Sequence, residues 1–391
     1  MLGALGLSRM LRTQRIGERC PSVLITCACW VGLAALVSCL IIVTIRRQPR
    51  LLKGGAAVLL LFSAAFCAYF EAPVAVERTV AILPYIEVAL AFALLVVLRP
   101  SQRDLRLLVC IAGAALSLTV ILDAQGWFDL GSFGDLGAPP RFRFSIIHPA
   151  GLMSSRNYAG EYLALCIPFA LVTPRLWPLV LLEACALGFT RCRAAYLGAV
   201  LAMIPFVATG FRLRSRWIAS AALLAGLLLP IVLPTRLTWR GAHPYAATWA
   251  RLVELDAGSG RLRVAQHTES VRRMSEEGLL ITGFGMGRYQ SELRPTHPEL
   301  AVNPFPSSDL LRSWVDVGIA GPLALAALLG LSITHAFTRV RSNPAGLGGL
   351  IALGLCTLAD VPLYRPETIL LALSLVFAIL SDDPVSAPSA A

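Results

Sequence analysis

LRLLVCIAGAALSLTVIL, residues 105–122, decides how the rest of the chain is read. Its only charge is Arg106, and its apolar side chains fill every face of a helix rather than one stripe. At about 1.5 Å of rise per residue the segment covers roughly 27 Å, close to the ~30 Å hydrocarbon core of a bilayer. Backbone groups in lipid need partners within the segment itself, so the block reads as a membrane helix. A barrel strand would alternate apolar and polar residues over about ten positions, and this block does not.

Blocks of the same kind lie on both sides, near 22–45, 54–71, 79–98, 157–173, 176–190, 194–210, 217–234, 310–337, 345–361 and 367–381. The pattern predicts an all-α fold, a polytopic transmembrane helical bundle of about eleven spans (10–12), with a large, partly helical periplasmic loop. The composition agrees: 15% of residues are charged, against about 25% in a soluble protein. Gly318 and Gly321-Pro322 mark places where the long block 310–337 can kink. The resulting division is N-terminal membrane helices in 1–122, a first outer loop in 123–156, central helices in 157–234, a large outer loop in 235–309, C-terminal helices in 310–381 and a disordered tail in 382–391.

The net charge of +11 would point to nucleic acid in a soluble protein. Here the basic residues sit in short loops between spans, where they set topology, and no nucleic-acid partner is expected. One set of loops is basic: Arg46, Arg47, Arg50 and Lys53; Arg99, Arg103 and Arg106; Arg175; Arg212, Arg214 and Arg216; Arg339 and Arg341. The alternate set carries Glu71 and Glu77, then Asp123, Asp129 and Asp135, then Asp360 and Glu367. The basic set is assigned to the cytoplasm. Arg9, Arg12, Arg15 and Arg19 run against this alternation, and the five-loop pattern takes precedence over them. The block they precede is too long for the apolar core of a signal peptide. The ten cysteines lie mostly inside apolar blocks, without zinc spacing or a disulfide framework, so no metal and no cofactor is expected.

Four segments facing the outer side carry the polar chemistry. In SSRNYAGEYLALCIP, 154–168, Arg156 and Asn157 start a span and Glu161 follows one turn inside it. An interfacial cap explains the first two, while an acid within a span is unusual. TRCRAAYLGAV, 190–200, places two arginines in a short outer connection, against the positive-inside bias. Arg193 there either snorkels to lipid phosphate or binds an anionic ligand, for which its planar fork is suited. In SGRLRVAQHTESVRRMSEEGLLITGFGMGRY, 259–289, Arg261 and Arg263 open a polar helix over 260–277. Arg272 and Arg273 beside Glu276 and Glu277 read as a solvated face, and Gly283, Gly285 and Gly287 as a tight turn rather than a nucleotide fingerprint. In NPFPSSDLLRSWVDVGIAGPL, 303–323, Ser307, Ser308 and Asp309 precede a span in which Arg312 and Asp316 share a face and are placed to pair. Of the histidines, which also include His148 and His267 in the outer loops, His297 is the best placed general base, ten residues before Ser307.

Over roughly 150–325 these segments resemble the bacterial O-antigen ligase and O-antigen polymerase family. RNYAGEYLALCIP matches its asparagine-led span, CRAAYLG its Ser-Arg-Gly/Ala-x-x-Leu segment, SGR with EEGLLITGFGMGRY its Gly-Arg and Pro-Leu-x-Gly-x-Gly stretch, and SSDLLRSWVDVGIAG its His-Asn-x-x-Leu…Glu-x-Gly-x-x-Gly segment. The resemblance implies a metal-independent glycosyltransferase that moves a glycan from undecaprenyl diphosphate to an acceptor at the periplasmic face of the bacterial inner membrane. It implies that Arg193 and Arg261 hold the diphosphate, with Arg156 adding positive charge and Asn157, Glu161, Arg312 and Asp316 in supporting roles. The expected partners are the lipid bilayer, the undecaprenyl-diphosphate-linked glycan, a lipid or glycan acceptor, and other polysaccharide-assembly proteins. Ser307 stands where the family has its histidine, Ser308 where it has asparagine, Cys192 where it has serine, and Glu277-Gly278 in its proline region. Serine is no base at neutral pH without help. So either His297 takes that role, or the acceptor is activated differently, or the protein is inactive. Ligase and polymerase stay open as alternatives, as do a transporter of a lipid-linked anionic solute and a catalytically inactive assembly protein.

Overall fold

The structure, a computed structural model, describes residues 49–71, 75–98, 100–126, 149–153, 155–172, 174–209, 213–233, 243–252, 258–301, 306–364 and 366–380. The expected span 22–45, most of the first outer loop with His148, and the tail 382–391 lie outside the described residues. The described chain is helical, with no strand among the described residues. The helices are α1 Pro49–Glu71, α2 Ala75–Leu98, α3 Gln102–Ala124, α4 Arg156–Leu171, α5 Trp177–Thr190, α6 Arg193–Leu201, α7 Ile204–Ala208, α8 Leu213–Val232, α9 Pro244–Ala250, α10 Gly258–Glu276, α11 Tyr289–Leu293, α12 Asp309–Val317, α13 Ala320–Thr338, α14 Pro344–Ala359 and α15 Pro366–Leu380.

Among the described residues three helices are long and apolar enough to cross a membrane: Ala81–Leu98 within α2, Gln102–Ala124 (α3) and Ala320–Thr338 (α13). Shorter apolar helices cover Trp177–Thr190, Arg193–Ala208, Trp217–Val232, Pro344–Ala359 and Thr368–Phe377. α5, with 14 residues, rises about 21 Å. α3 explains why the apolar blocks are apolar all round. Its inner side buries Leu105, Val109, Gly113, Leu116 and Val120, while Leu107, Leu108, Ile111 and Leu118 on the outer side are each more than half exposed. A water-facing helix would carry polar residues on that outer side. α8 repeats the pattern with Trp217 and Val232 exposed over a buried Leu223 and Leu227.

The chain divides into two compact units. The first comprises Met1–Arg99, Glu254–Leu331 and Thr357–Leu373, the second Pro100–Val253, Ser332–Cys356 and Ser374–Ala391. In the second unit α3, α4, α5 and α8 pack through small residues. A Cβ on Gly226 would lie 2.6 Å from the Ala184 Cβ, and one on Gly188 would lie 2.7 Å from Pro230, so α5 and α8 touch backbone to backbone. Close approach of this kind is how apolar helices associate where lipid removes the hydrophobic drive.

In the first unit, the block 310–337 is two helices, α12 and α13, and the break falls at Gly318. Gly318 has φ +74°, and a Cβ there would collide with the Ile281 carbonyl oxygen, so glycine is needed for conformation and for space. The long loop 235–309 is divided between the units: α9 belongs to the second, α10 and α11 to the first. Around α10 and α11 the loop has a core of its own, formed by Met274, Phe284, Tyr289, Leu293 and Leu300 against Leu311 and Val315 of α12. It is therefore a folded module seated on α12.

If the exposed side of α3 faces lipid, Ile111→Arg costs about 3 kcal/mol of insertion free energy and depletes the protein from the membrane fraction. A water-exposed helix would carry the arginine without loss, and wild-type membrane levels of the variant contradict a lipid-facing α3.

Candidate functional site

The first two segments singled out in the sequence come together in the second unit. Ser155 caps α4, in extended backbone, its hydroxyl accepting from the Asn157 N–H at 3.3 Å. Arg156 and Asn157 are half-buried, and Glu161 is fully buried one turn further on. Between them and Glu161, Gly160 lets α4 close on the turn that joins α5 to α6. A Cβ on Gly160 would sit 2.6 Å from the Cys192 Cβ and 2.8 Å from the Thr190 hydroxyl. Asn157, Glu161 and the TRCR turn are thus neighbours, although thirty residues separate them in sequence.

That turn is strained. Arg191 is the one non-glycine residue with positive φ, 57°, among the described residues. Left-handed backbone costs a side chain of order 1–3 kcal/mol and persists only where the surroundings fix it. Here the Arg191 Nε donates to the Thr248 hydroxyl at 3.0 Å, and Thr248 in turn donates to the Pro244 carbonyl. Arg193, half-buried, donates to the Arg251 carbonyl at 2.6 Å. Aromatic contacts complete the seat of α9: Phe189 meets Tyr245 edge-on at 5.3 Å and Tyr196 lies 5.4 Å from Trp249, while the Tyr196 hydroxyl donates to the Gly188 carbonyl. The two arginines of this short connection therefore anchor α9, a piece of the large loop, directly over the turn.

The third and fourth segments come together in the first unit. The turn GFGMG is built of positive-φ glycines at 283, 285 and 287. A Cβ on Gly283 would lie 2.5 Å from the Trp314 carbonyl oxygen, and the Gly285 N–H donates to the Val315 carbonyl at 3.0 Å. The turn thus lies directly on α12. Its side chains lock it further: the Trp314 indole donates to the Leu280 carbonyl, and the Gly287 N–H reaches the Asp316 carboxylate at 3.5 Å. Asp316 pairs with Arg312 at 3.5 Å, as the four-residue spacing implies, and also accepts from the Tyr85 hydroxyl at 3.2 Å. Both partners of the pair are buried, so this cluster joins α2, α12 and the glycine turn.

Four of the expected site residues in this unit have separate settings. Arg261 is exposed and has no partner among the described residues, whereas Arg263, two residues on, pairs with Asp360 at 3.1 Å. Ser307 is half-buried, with its N–H on the Gln266 carboxamide at 3.4 Å. Ser308 is the N-cap of α12, accepting from the Leu311 N–H and donating to the Thr357 carbonyl. His297 stands between two carboxylates, Nε2 at 3.2 Å from Glu269 and Nδ1 at 3.1 Å from Glu299. The two ring nitrogens thus face Glu269 and Glu299. Arg272 and Arg273 bind Glu269, Glu276, Glu277 and Glu292, a solvated charged face as expected. No group of three or more histidine, cysteine, aspartate or glutamate residues is arranged for a metal among the described residues.

Arg156, Asn157, Glu161 and Arg193 therefore share one unit, and Arg261, His297, Ser307, Arg312 and Asp316 the other. No protein-family model and no curated protein matches the chain. Three features escaped the sequence reading. The left-handed Arg191 carries no glycine to announce it, the Arg263–Asp360 pair spans 97 residues, and buried Gln266 sits in a polar helix where nothing distinguishes it.

The module's electrostatics give it a pH dependence of known sign. Burial holds His267 below its ordinary value, and the hydrogen bond from Arg272 holds Glu269 below the usual carboxylate range. In both cases the unfolded chain binds the proton first as pH falls, so acid destabilises the fold. The His267 contribution is fully present above about pH 6.5 and is lost below it, and the Glu269 contribution is lost below about pH 4.5. The thermal midpoint of the purified protein should fall in two steps on acidification, and His267→Gln should remove the upper one. A midpoint that is flat between pH 7 and 5 contradicts this account.

Proposed function

We propose that the chain is a multi-pass inner-membrane glycosyltransferase that moves a glycan from a polyprenyl-diphosphate carrier to an acceptor hydroxyl on the outer face. The observation that carries this reading is the arginine-bearing turn of the second unit. Arg191 and Arg193 occupy a short connection on the face where topology disfavours arginine, and a folded loop helix lies over them. Such a turn suits a multiply charged anion at the membrane surface, and the resemblance to O-antigen ligases supplies the anion's identity.

In this reading the acceptor oxygen attacks the anomeric carbon. The bond from that carbon to the phosphate oxygen breaks, and the carrier leaves as its diphosphate. Guanidinium groups that hold the diphosphate stabilise the charge it gains, the general form of electrostatic catalysis. In the second unit Arg193 carries that role and Arg156 adds to the field; Arg261, in the first unit, is a separate candidate for a phosphate contact, and the reaction itself needs no nucleotide. Ser307 stands where the family has its histidine, and a serine hydroxyl is no base at neutral pH without help. That substitution favours one second reading, an inactive relative that organises polysaccharide assembly.

Arg261 offers the cleanest test because it is exposed and supports no described contact. Arg261→Ala should cut surface polysaccharide at least tenfold and leave membrane level and thermal midpoint unchanged, with lipid-linked glycan accumulating as in a deletion strain. Wild-type polysaccharide in that variant sinks the assignment of Arg261. Activity that appears only in Ser307→His marks the native chain as the inactive relative.

A further inference from the structure

One buried acid takes no part in either group of segments. Glu183 lies midway along α5, in the apolar run LVLLEACALGF, 179–189. Its side chain is fully buried by protein, before any lipid is considered. Neither carboxyl oxygen has a hydrogen-bond partner, and no arginine, lysine or histidine pairs with it among the described residues. An acid placed by chance inside a helix bundle would turn toward a helix end or a cation. This one is instead directed into a built recess.

The recess is Gly113 of α3. A Cβ on Gly113 would collide with a Glu183 carboxyl oxygen, and the Cys166 Cβ of α4 would lie 3.0 Å from the same point. Glycine in a helix interior costs stability relative to alanine, and here it clears the volume that the carboxyl group fills. The Gly113 carbonyl is itself held by the Ser117 hydroxyl at 2.8 Å. Glu183, Gly113 and Cys166 thus form one pocket-and-plug arrangement across α3, α4 and α5.

We propose that Glu183 is a proton-binding site inside the bundle, occupied at neutral pH by a proton that makes it the neutral acid. An ionised carboxylate there would have neither water nor a counter-charge, whereas the neutral acid asks only for space, which Gly113 provides. The surroundings add no group that would favour ionisation. The titratable side chains facing it are Cys110 from α3 and Cys166 and Tyr162 from α4, none of them cationic at neutral pH. On its own helix Cys185 is the nearest titratable residue, and Arg191 is engaged by Thr248 beyond the helix end. α8 faces α5 with Gly226, Leu227 and Pro230, and α6 brings Tyr196, whose hydroxyl is taken by Gly188. A carboxyl so placed lets a membrane protein bind a proton within its spans and tie the packing of three helices to proton occupancy. The site is independent of glycosyl transfer, and its test uses no activity.

Infrared spectroscopy of the purified protein in lipid reads the proton directly. At pH 7 the wild type should show the carbonyl stretch of one protonated carboxylic acid that Glu183→Gln lacks, and Glu161→Gln should leave that band in place. The band should vanish at alkaline pH, with a fall in thermal midpoint that Glu183→Gln does not share. Glu183→Met, which fills the recess without an acid, gives the same comparison if the glutamine variant does not accumulate. Spectra of wild type and Glu183 variants that match in the protonated-acid region at pH 7 overturn the proposal.

Discussion

A backbone or side-chain polar group without a partner costs several kcal/mol in apolar surroundings, and this chain is built around that penalty. The apolar blocks close their own backbone bonds as helices, and the polar residues that begin them serve as caps. Ser101 accepts from the Asp104 N–H, Ser155 from Asn157 and Ser308 from Leu311. The acid that closes the 105–122 block works the same way: Asp123 accepts from the N–H groups of Ala150 and Gly151 at 2.9 and 3.1 Å, and so ties the far end of the first outer loop to α3. Asp309 accepts from the Leu363 N–H at 3.0 Å and so holds the turn between α14 and α15. Asp123, one of the acids that distinguish the alternate loops in sequence, is in structure a partner for loop backbone.

Under the same constraint the outer segments pack as pairs. The asparagine-led start of α4 meets the TRCR turn through Gly160, and the glycine-rich turn lies on α12 through Gly283 and Gly318. In each pair a glycine is a point of close approach: Gly160 makes room for the Cys192 and Thr190 side chains, and Gly283 and Gly318 let two backbones meet. The arginines follow. Arg191, Arg193 and Arg263 are used to anchor loop elements, while Arg261 faces outward.

The helical character, the polar helix at 258–276, the glycine turn and the Arg312–Asp316 pair were legible because each depends on spacing along a single element. Hydropathy also marked the blocks, and Gly318 marked the place where 310–337 divides into α12 and α13, although not that the need for glycine there comes from Ile281, far away in sequence. The division of loop 235–309 between two units was invisible for the same reason. So was the contact of His297 with Glu269 of α10. What composition and period encode could be read; what depends on which segments meet could not.

The claim that binds these elements into one function is that the outer face receives a lipid-linked diphosphate and releases it. The direct measurement is turnover of a polyprenyl-diphosphate-linked glycan by the purified protein in proteoliposomes, with chelator present and an acceptor glycolipid supplied. The account predicts release of polyprenyl diphosphate in step with acceptor glycosylation, and loss of both in Arg193→Ala and Arg261→Ala. Donor that remains intact in the presence of folded wild-type protein, or turnover that both variants retain, contradicts it.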